Sequence, residues 1–235
     1  MTTQVYVSED AEHFAAQAAH WITAAIVEAQ DARGVCHLAL SGGSTPVPVF
    51  RRLSALCDHG AFDPSELCLW LADEGRVPVG DEGSNAGLVE RGFLFPLENG
   101  RPRFVLPWQD GMTHEAMAER YERLLPERID VLVLGLGEDG HVASLFPRAD
   151  ALKVTDRRWF GLIGPKPPPE RWTMSLPMLL AARRTCMLAR GRGKASICAR
   201  VIEGDDEPFE LPAAVARDAA WFLDVEAASA LRQPT

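Results

Sequence analysis

The amino-acid sequence predicts an α/β protein: a mainly parallel central sheet with helices on both faces, Rossmann-like in arrangement, with a small extra lobe left open. Three observations carry that expectation. Short β-like apolar runs alternate with stretches whose apolar residues recur at helical spacing. The run IDVLVL at 129–134 is the clearest strand, nearly continuous in apolar residues as a central parallel strand should be. Three polar, Gly-rich or acidic segments then fall at the carboxyl ends of such runs, where open parallel sheets bind their ligands: SGGST at 41–45, ADEGR at 72–76 and GLGEDGH at 135–141.

Taken in order, residues 5–7 form a first short strand. The next stretch carries Phe14, Ala18, Trp21, Ile22, Ala25 and Ile26 at helical spacing, and Gly34 closes it, glycine being the usual residue just past a helix end. Residues 35–40 (VCHLAL) are a buried strand that runs straight into SGGSTP. Pro46, its φ preset, suits the first turn of a helix with Phe50, Leu53 and Leu56 on the inner face. Residues 67–72 form the third strand, ending in Asp73 and Glu74. Ser84 is placed to cap a helix through Leu88 and Leu94, and Thr113 to cap another with Met117, Tyr121 and Leu124 on one face. After IDVLVL the chain is loop-rich. Residues 159–163 are a further apolar strand, and the PKPPPE run within 164–170 can be neither regular helix nor central strand. A short helix near 176–182, a strand near 185–189, a helix from about Lys194, a strand at 221–223 and a final helix with Ala227 and Leu231 follow. No repeat or low-complexity linker divides the chain, so residues 1–235 are expected to form one domain.

Composition narrows the function classes. With 47% hydrophobic and 24% charged residues, the chain can bury a core, which excludes disordered, collagen-like and coiled-coil readings. No apolar run approaches the ~18 residues of a membrane span, and the N-terminal residues are too acidic and polar for a signal peptide. A formal net charge of −9 argues against broad nucleic-acid binding. It leaves room for an anionic small molecule, which needs only a few local cations and N–H groups. The five cysteines are odd in number and scattered, so they read as reduced thiols of a cytoplasmic protein and not as a disulfide or zinc framework. Neither a membrane, a nucleic acid nor an obligate protein partner is expected.

Each strand-end segment has a bland and a chemical reading. SGGST is either an ordinary strand-to-helix turn or an anion cradle, in which Gly42 and Gly43 let the backbone approach a ligand and Ser41, Ser44 and Thr45 add hydroxyl donors. It is not a Walker A loop, since no lysine follows the glycines at the required place. GLGEDG matches GxGxxG, but Pro147 interrupts any helix early and no carboxylate ends the next strand, which argues against a dinucleotide. His141 stands apart from the other five histidines. His13 and His20 fall on the first helix, His37 within a strand, and His59 and His114 in polar flanks. A loop imidazole can take a proton from water and return it to a leaving oxygen, with Asp139 or Glu138 to orient it. Asp73 and Glu74 are either an acid/base pair or caps of a turn. Arg171 and Lys194 are either surface charges or phosphate partners. No histidine pair has a metal-ligand spacing, and no metal or cofactor is expected.

Taken together, LALSGGSTP at 38–46, ADEGRVP with SN up to 85, and DVLVLGLGEDGHVASLFP at 130–147 resemble the 6-phosphogluconolactonase family. PPERWTMSLP at 168–177, GRGK at 191–194 and LPAAVARDAAWFLD at 211–224 extend the similarity over nearly the whole chain. The resemblance implies a cofactor-free α/β enzyme that hydrolyses 6-phospho-D-glucono-1,5-lactone to 6-phosphogluconate, in the oxidative pentose phosphate pathway. It implies that His141 is the catalytic histidine; Asp139 is the candidate to orient it, and Asp73 either helps catalysis or only shapes the loop. It also implies that the phosphate is held by the loop Ser41, Gly42, Gly43, Ser44 and Thr45, by Arg171 and by Lys194.

The chain departs from the family pattern at one place. The family reads DERxVP, with an arginine directly after the Asp-Glu pair, and here Gly75 stands there and Arg76 comes one residue late. Either a local backbone shift, which glycine's conformational freedom permits, lets Arg76 reach the same spot on the substrate, or that contact is lost and affinity falls; Arg76 is taken as a candidate substrate contact. Two rivals remain: an amino-sugar-phosphate deaminase or isomerase of the same superfamily, which would use Asp73 for proton abstraction, and a non-catalytic sugar-phosphate sensor. GHVASLFP at 140–147, where the deaminases read roughly GHIAFNEP, favours the lactonase.

Overall fold

A computed structural model describes residues 3–109 and 111–232. The chain runs β1 (Gln4–Ser8), α1 (Ala11–Arg33), β2 (Cys36–Leu40), α2 (Val47–Asp58), β3 (Leu67–Leu71), β4 (Asp73–Gly75) and α3 (Asn85–Val89). It continues through β5 (Arg103–Phe104), α4 (His114–Leu124), β6 (Val131–Gly135), β7 (Trp159–Ile163), β8 (Glu170–Met174), α5 (Leu176–Leu180), β9 (Arg184–Ala189), α6 (Ala195–Glu203) and β10 (Ala220–Asp224).

The local signals act as their chemistry requires. Asp10 caps α1 by accepting from the His13 N–H, and Gly34 ends it at φ 71°, its N–H donating to the Gln30 carbonyl. Ser84 caps α3 through the Gly87 N–H, and Thr113 caps α4 through the Ala116 N–H. The helix after Ser84 continues beyond α3 as a π-helical turn over Glu90–Leu94, closed by the Phe95 N–H on the Glu90 carbonyl.

Seven strands pair side by side in the order β1-β10-β9-β6-β2-β3-β5, every neighbouring pair parallel. From β2 the chain builds outward one way through β3 and β5. From β6 it builds the other way through β9 and β10. The carboxyl ends of β2 and β6 therefore flank the point where strand order reverses, the place where a doubly wound sheet opens a crevice. Trp70, Phe14, Phe50, Ile22, Ile26, Leu38 and Trp221 are fully buried in the core. All five cysteines are buried free thiols.

The extra lobe is a separate antiparallel sheet in the order β4-β8-β7. Strand three does not simply end in a loop at Asp73 and Glu74. The chain turns at Ala72, and Asp73, Glu74 and Gly75 pair with Thr173, Trp172 and Arg171. Two other expectations are corrected. The final helix is instead a series of turns over 225–230: the Asp224 carboxylate caps the segment through the Ala227 N–H, but Ala227 alone is buried there, too little apolar burial to hold so short a helix. His114 is no polar flank: it opens α4 with its ring 4.5 Å from that of Trp172.

Candidate active site

The strand-end segments converge in one cleft of about 750 Å³ at the switch point. The loop after β2 is tied to the neighbouring strand by the Ser41 N–H, which donates to the Val133 carbonyl at 3.0 Å. Gly42 is required there by contact, since a Cβ would fall 1.6 Å from Asn85 Oδ1. Gly43 sits at φ +95°, in the left-handed region. The Ser41 hydroxyl is buried and finds no hydrogen-bond partner among the described residues. Ser44 and Thr45 line the same wall, just ahead of the α2 N-terminus.

His141 lies on the opposite wall, after β6. No helix opens on its loop, so the GxGxxG match has no dinucleotide geometry: the Gly137 N–H donates to the His141 carbonyl and the chain turns back. His141 Nδ1 is hydrogen-bonded to Asp139 Oδ1. A carboxylate only accepts, so Nδ1 carries the proton and Nε2 keeps its lone pair. Burial holds the imidazole below the usual histidine range, although Asp139 and Asp73 pull the other way. The ring is therefore neutral, a base in waiting, near pH 7. The other Asp139 oxygen pairs with Lys166 Nζ at 2.9 Å, and the bonds from Lys166 and His141 outweigh its desolvation to hold the Asp139 carboxyl well below the usual carboxylate range.

Asp73 forms the floor. It is buried, with Ser144 Oγ donating to its Oδ2 at 2.8 Å and Asn85 Nδ2 donating to its Oδ1 at 3.2 Å. Burial raises its pKa, against the pull of Ser144, Arg171 and His141. Glu74 has a different place. Its fully buried carboxylate accepts from the backbone N–H groups of Gly75, Asn85 and Ala86 at 2.7–3.0 Å, so it fastens β4 to the start of α3. Glu74 does not line the cleft with Asp73, and the paired acid/base alternative loses its second member.

Arg171 reaches the cleft from β8. It donates to Ser144 Oγ at 3.3 Å and to the Pro167 carbonyl at 2.8 Å, which clips the Pro-rich loop onto the rim. Lys194 faces in from the segment before α6. The expectation for Arg76 is overturned: its guanidinium pairs with the Glu170 carboxylate at 3.0 Å and does not line the cleft. Strand alternation explains this. Position 75 sits opposite Arg171 and shares its face, so position 76 points the other way. At position 75 a Cβ would lie 2.5 Å from Pro168 Cγ, so the Pro-rich loop occupies the space a side chain would need.

Several lining residues escaped the sequence reading. Asn85 stands in the SN that ends the 72–85 motif, but the sequence reading assigns it no role. Arg190 adjoins the GRGK motif, and its guanidinium lies 5.4 Å from the centre of the Phe14 ring. Glu82 lines the cleft too, as does Glu138, the alternative candidate to orient His141, so with Asp73 three carboxylates face Arg171, Arg190 and Lys194. Among the described residues no group of three His, Cys, Asp or Glu side chains converges to hold a metal ion.

Comparison with known proteins decides the family. Residues 9–223 match the family described as glucosamine-6-phosphate isomerases/6-phosphogluconolactonase. The chain belongs to this family. Among its relatives, the 6-phosphogluconolactonase of Streptomyces coelicolor is 37% identical, covering 98% of this chain and 95% of that one. The 6-phosphogluconolactonase of Mycobacterium tuberculosis is 32% identical over 98% and 99% of the two chains. The crystal structure of a Shewanella baltica 6-phosphogluconolactonase superposes with a TM-score of 0.80 at 28% identity, over 95% of this chain and 97% of that one. A monomeric glucosamine-6-phosphate deaminase shares the fold, with a TM-score of 0.81 at 22% identity, over 97% and 99% of the two chains.

Proposed function

We propose that this protein is a cytoplasmic 6-phosphogluconolactonase, an enzyme that hydrolyses 6-phospho-D-glucono-1,5-lactone within the oxidative pentose phosphate pathway. The observation that carries the reading is His141, oriented by Asp139, in the same cleft as the 41–45 loop and Lys194. The lactonase relatives that match the chain over nearly its whole length support the substrate class. The buried free thiols fit a reducing compartment.

In this reading His141 Nε2 removes a proton from water as its oxygen attacks the lactone carbonyl carbon. The tetrahedral intermediate then collapses, the bond from carbon to ring oxygen breaks, and Nε2 returns the proton to the departing alkoxide. Asp139 stabilises the imidazolium between the two steps and holds the tautomer. The 41–45 loop, the start of α2 and Lys194 grip the phosphate, away from the reacting carbon, and fix its orientation. Arg171 closes that end through its hold on the Pro-rich loop. Asp73 shapes the floor and holds Ser144 and Asn85.

The direct test follows freshly generated phosphogluconolactone with and without the purified protein, beside an ammonia-release assay on glucosamine 6-phosphate. The proposal expects lactone loss far faster than spontaneous hydrolysis and no ammonia. A lactone trace no faster than buffer would refute it.

A further inference from the structure

We propose that Lys166 is a positioning residue of the site: its ammonium holds Asp139 Oδ2 so that Oδ1 stays on His141 Nδ1. The inference rests on reading His141 as the base.

The geometry starts from the carboxylate. An aspartate turns easily about its last torsion, so a single hydrogen bond leaves the carboxylate plane poorly fixed. Here both oxygens are engaged from different segments, Oδ1 by the imidazole and Oδ2 by the ammonium. Lys166 is itself held in place. It sits between Pro165 and Pro167, whose rings restrict the backbone. The loop is closed by the Gly164 N–H on the Pro169 carbonyl at 2.7 Å and is clipped by Arg171 on the Pro167 carbonyl. The ammonium also lies 5.7 Å from the centre of the Phe146 ring, whose other neighbour is the His141 ring at 4.7 Å. Lys166, Phe146, His141 and Asp139 thus form one closed cluster, with the lysine on its outer side.

The charges facing His141 come from several elements. Asp139 lies on its own loop, Asp73 on β4 and Lys166 on the Pro-rich loop, with Glu138 and Arg171 lining the cleft nearby. Asp139 and Asp73 favour a protonated ring, while Lys166 and burial oppose it. Without Lys166 the full charge of Asp139 would act on the ring and draw a proton to Nε2 at higher pH, idling the base. With Lys166 in place Asp139 keeps its orienting bond while the ring stays neutral.

The test compares wild type, Lys166→Met and Lys166→Arg. The pH dependence of kcat/KM for the phosphorylated lactone is measured beside an NMR titration of the His141 ring. In Lys166→Met the ring titration and the acid limb of kcat/KM should both rise by roughly half to one pH unit, as loss of one charge a few ångströms away implies. On the plateau kcat should fall severalfold with KM little changed, and Lys166→Arg should restore both. An unmoved ring titration overturns the proposal, whether activity is unchanged or KM rises for the phosphorylated lactone alone, which would make Lys166 a substrate contact. Turnover surviving in His141→Ala would instead defeat the reading of the base, while the NMR titration still tests the effect of Lys166 on the ring.

Discussion

At the scale of single residues, two buried acids next to each other in the chain do opposite things. Asp73 faces the cleft, whereas Glu74 faces away and serves as the anchor for α3. Burial pushes the Glu74 carboxyl up to about 7, against the backbone donors that favour its charged form. The folded state therefore binds a proton more tightly than the unfolded state. Stability from this group is present below the unfolded value and declines as pH rises from about 4.5 to about 7. Glu74→Gln should flatten that part of a pH series of denaturant midpoints, at the cost of an amide N–H set against a backbone N–H. An unchanged slope would place the titration elsewhere. His141 has the opposite sign of shift: its pKa is lowered from 6.5. A base that works unprotonated then gives a kcat/KM that rises with pH below about 6.5 and is flat through neutrality, and an acid limb centred above 7 would contradict that assignment.

At the scale of elements, the cleft depends on close approaches that small residues permit. Gly42→Ala would drive a Cβ into the Asn85 side chain and disturb the Asn85 bonds to Asp73. It should cost about 1–3 kcal/mol of stability and weaken substrate binding, which a thermal melt and KM together would show. Arg76→Ala should do neither, because its partner Glu170 is half-exposed and such pairs contribute about 0–1 kcal/mol. A large rise in KM would return Arg76 to the site. Lys194→Ala should raise KM about tenfold or more for the phosphorylated lactone and little for plain gluconolactone, as expected for one charge-assisted bond. Helices and central strands were legible in the sequence because caps, Gly34 and continuous apolar runs are local signals. Of the β4-β8-β7 sheet only β7, the apolar run at 159–163, was. Asp73–Gly75 has no strand propensity of its own, and its structure exists only through pairing with β8. The fate of Arg76 followed from that missed register, since which face a residue occupies cannot be read before its strand is known.

At the scale of the whole molecule, the seven parallel strands place four segments, distant in the chain, at one end of the sheet. The sequence shows those segments, and the strand order explains why they meet: β9, β6, β2 and β3 are consecutive neighbours. A net-acidic chain is no obstacle to an anionic substrate, yet the cleft is not simply a positive pocket either. Its cations are balanced by carboxylates, so the fit comes from placement and not from net charge. Lys166 and Arg190 stayed hidden because the PKPPPE run reads only as a break in regular structure and Arg190 only adjoins GRGK, and only the tertiary structure brings them to the site. Since buried apolar residues run through both sheets, from Phe14 to Trp159 and Trp221, thermal unfolding is expected as one cooperative transition, which coincident far- and near-ultraviolet circular dichroism melts would check. The central claim, that His141 activates water for attack on a phosphorylated lactone, is tested most directly by kcat/KM of His141→Ala, with circular dichroism to confirm the fold. The predicted result is a loss on the order of 10²–10⁴-fold with an unchanged spectrum, and near-wild-type turnover from a folded His141→Ala would contradict it.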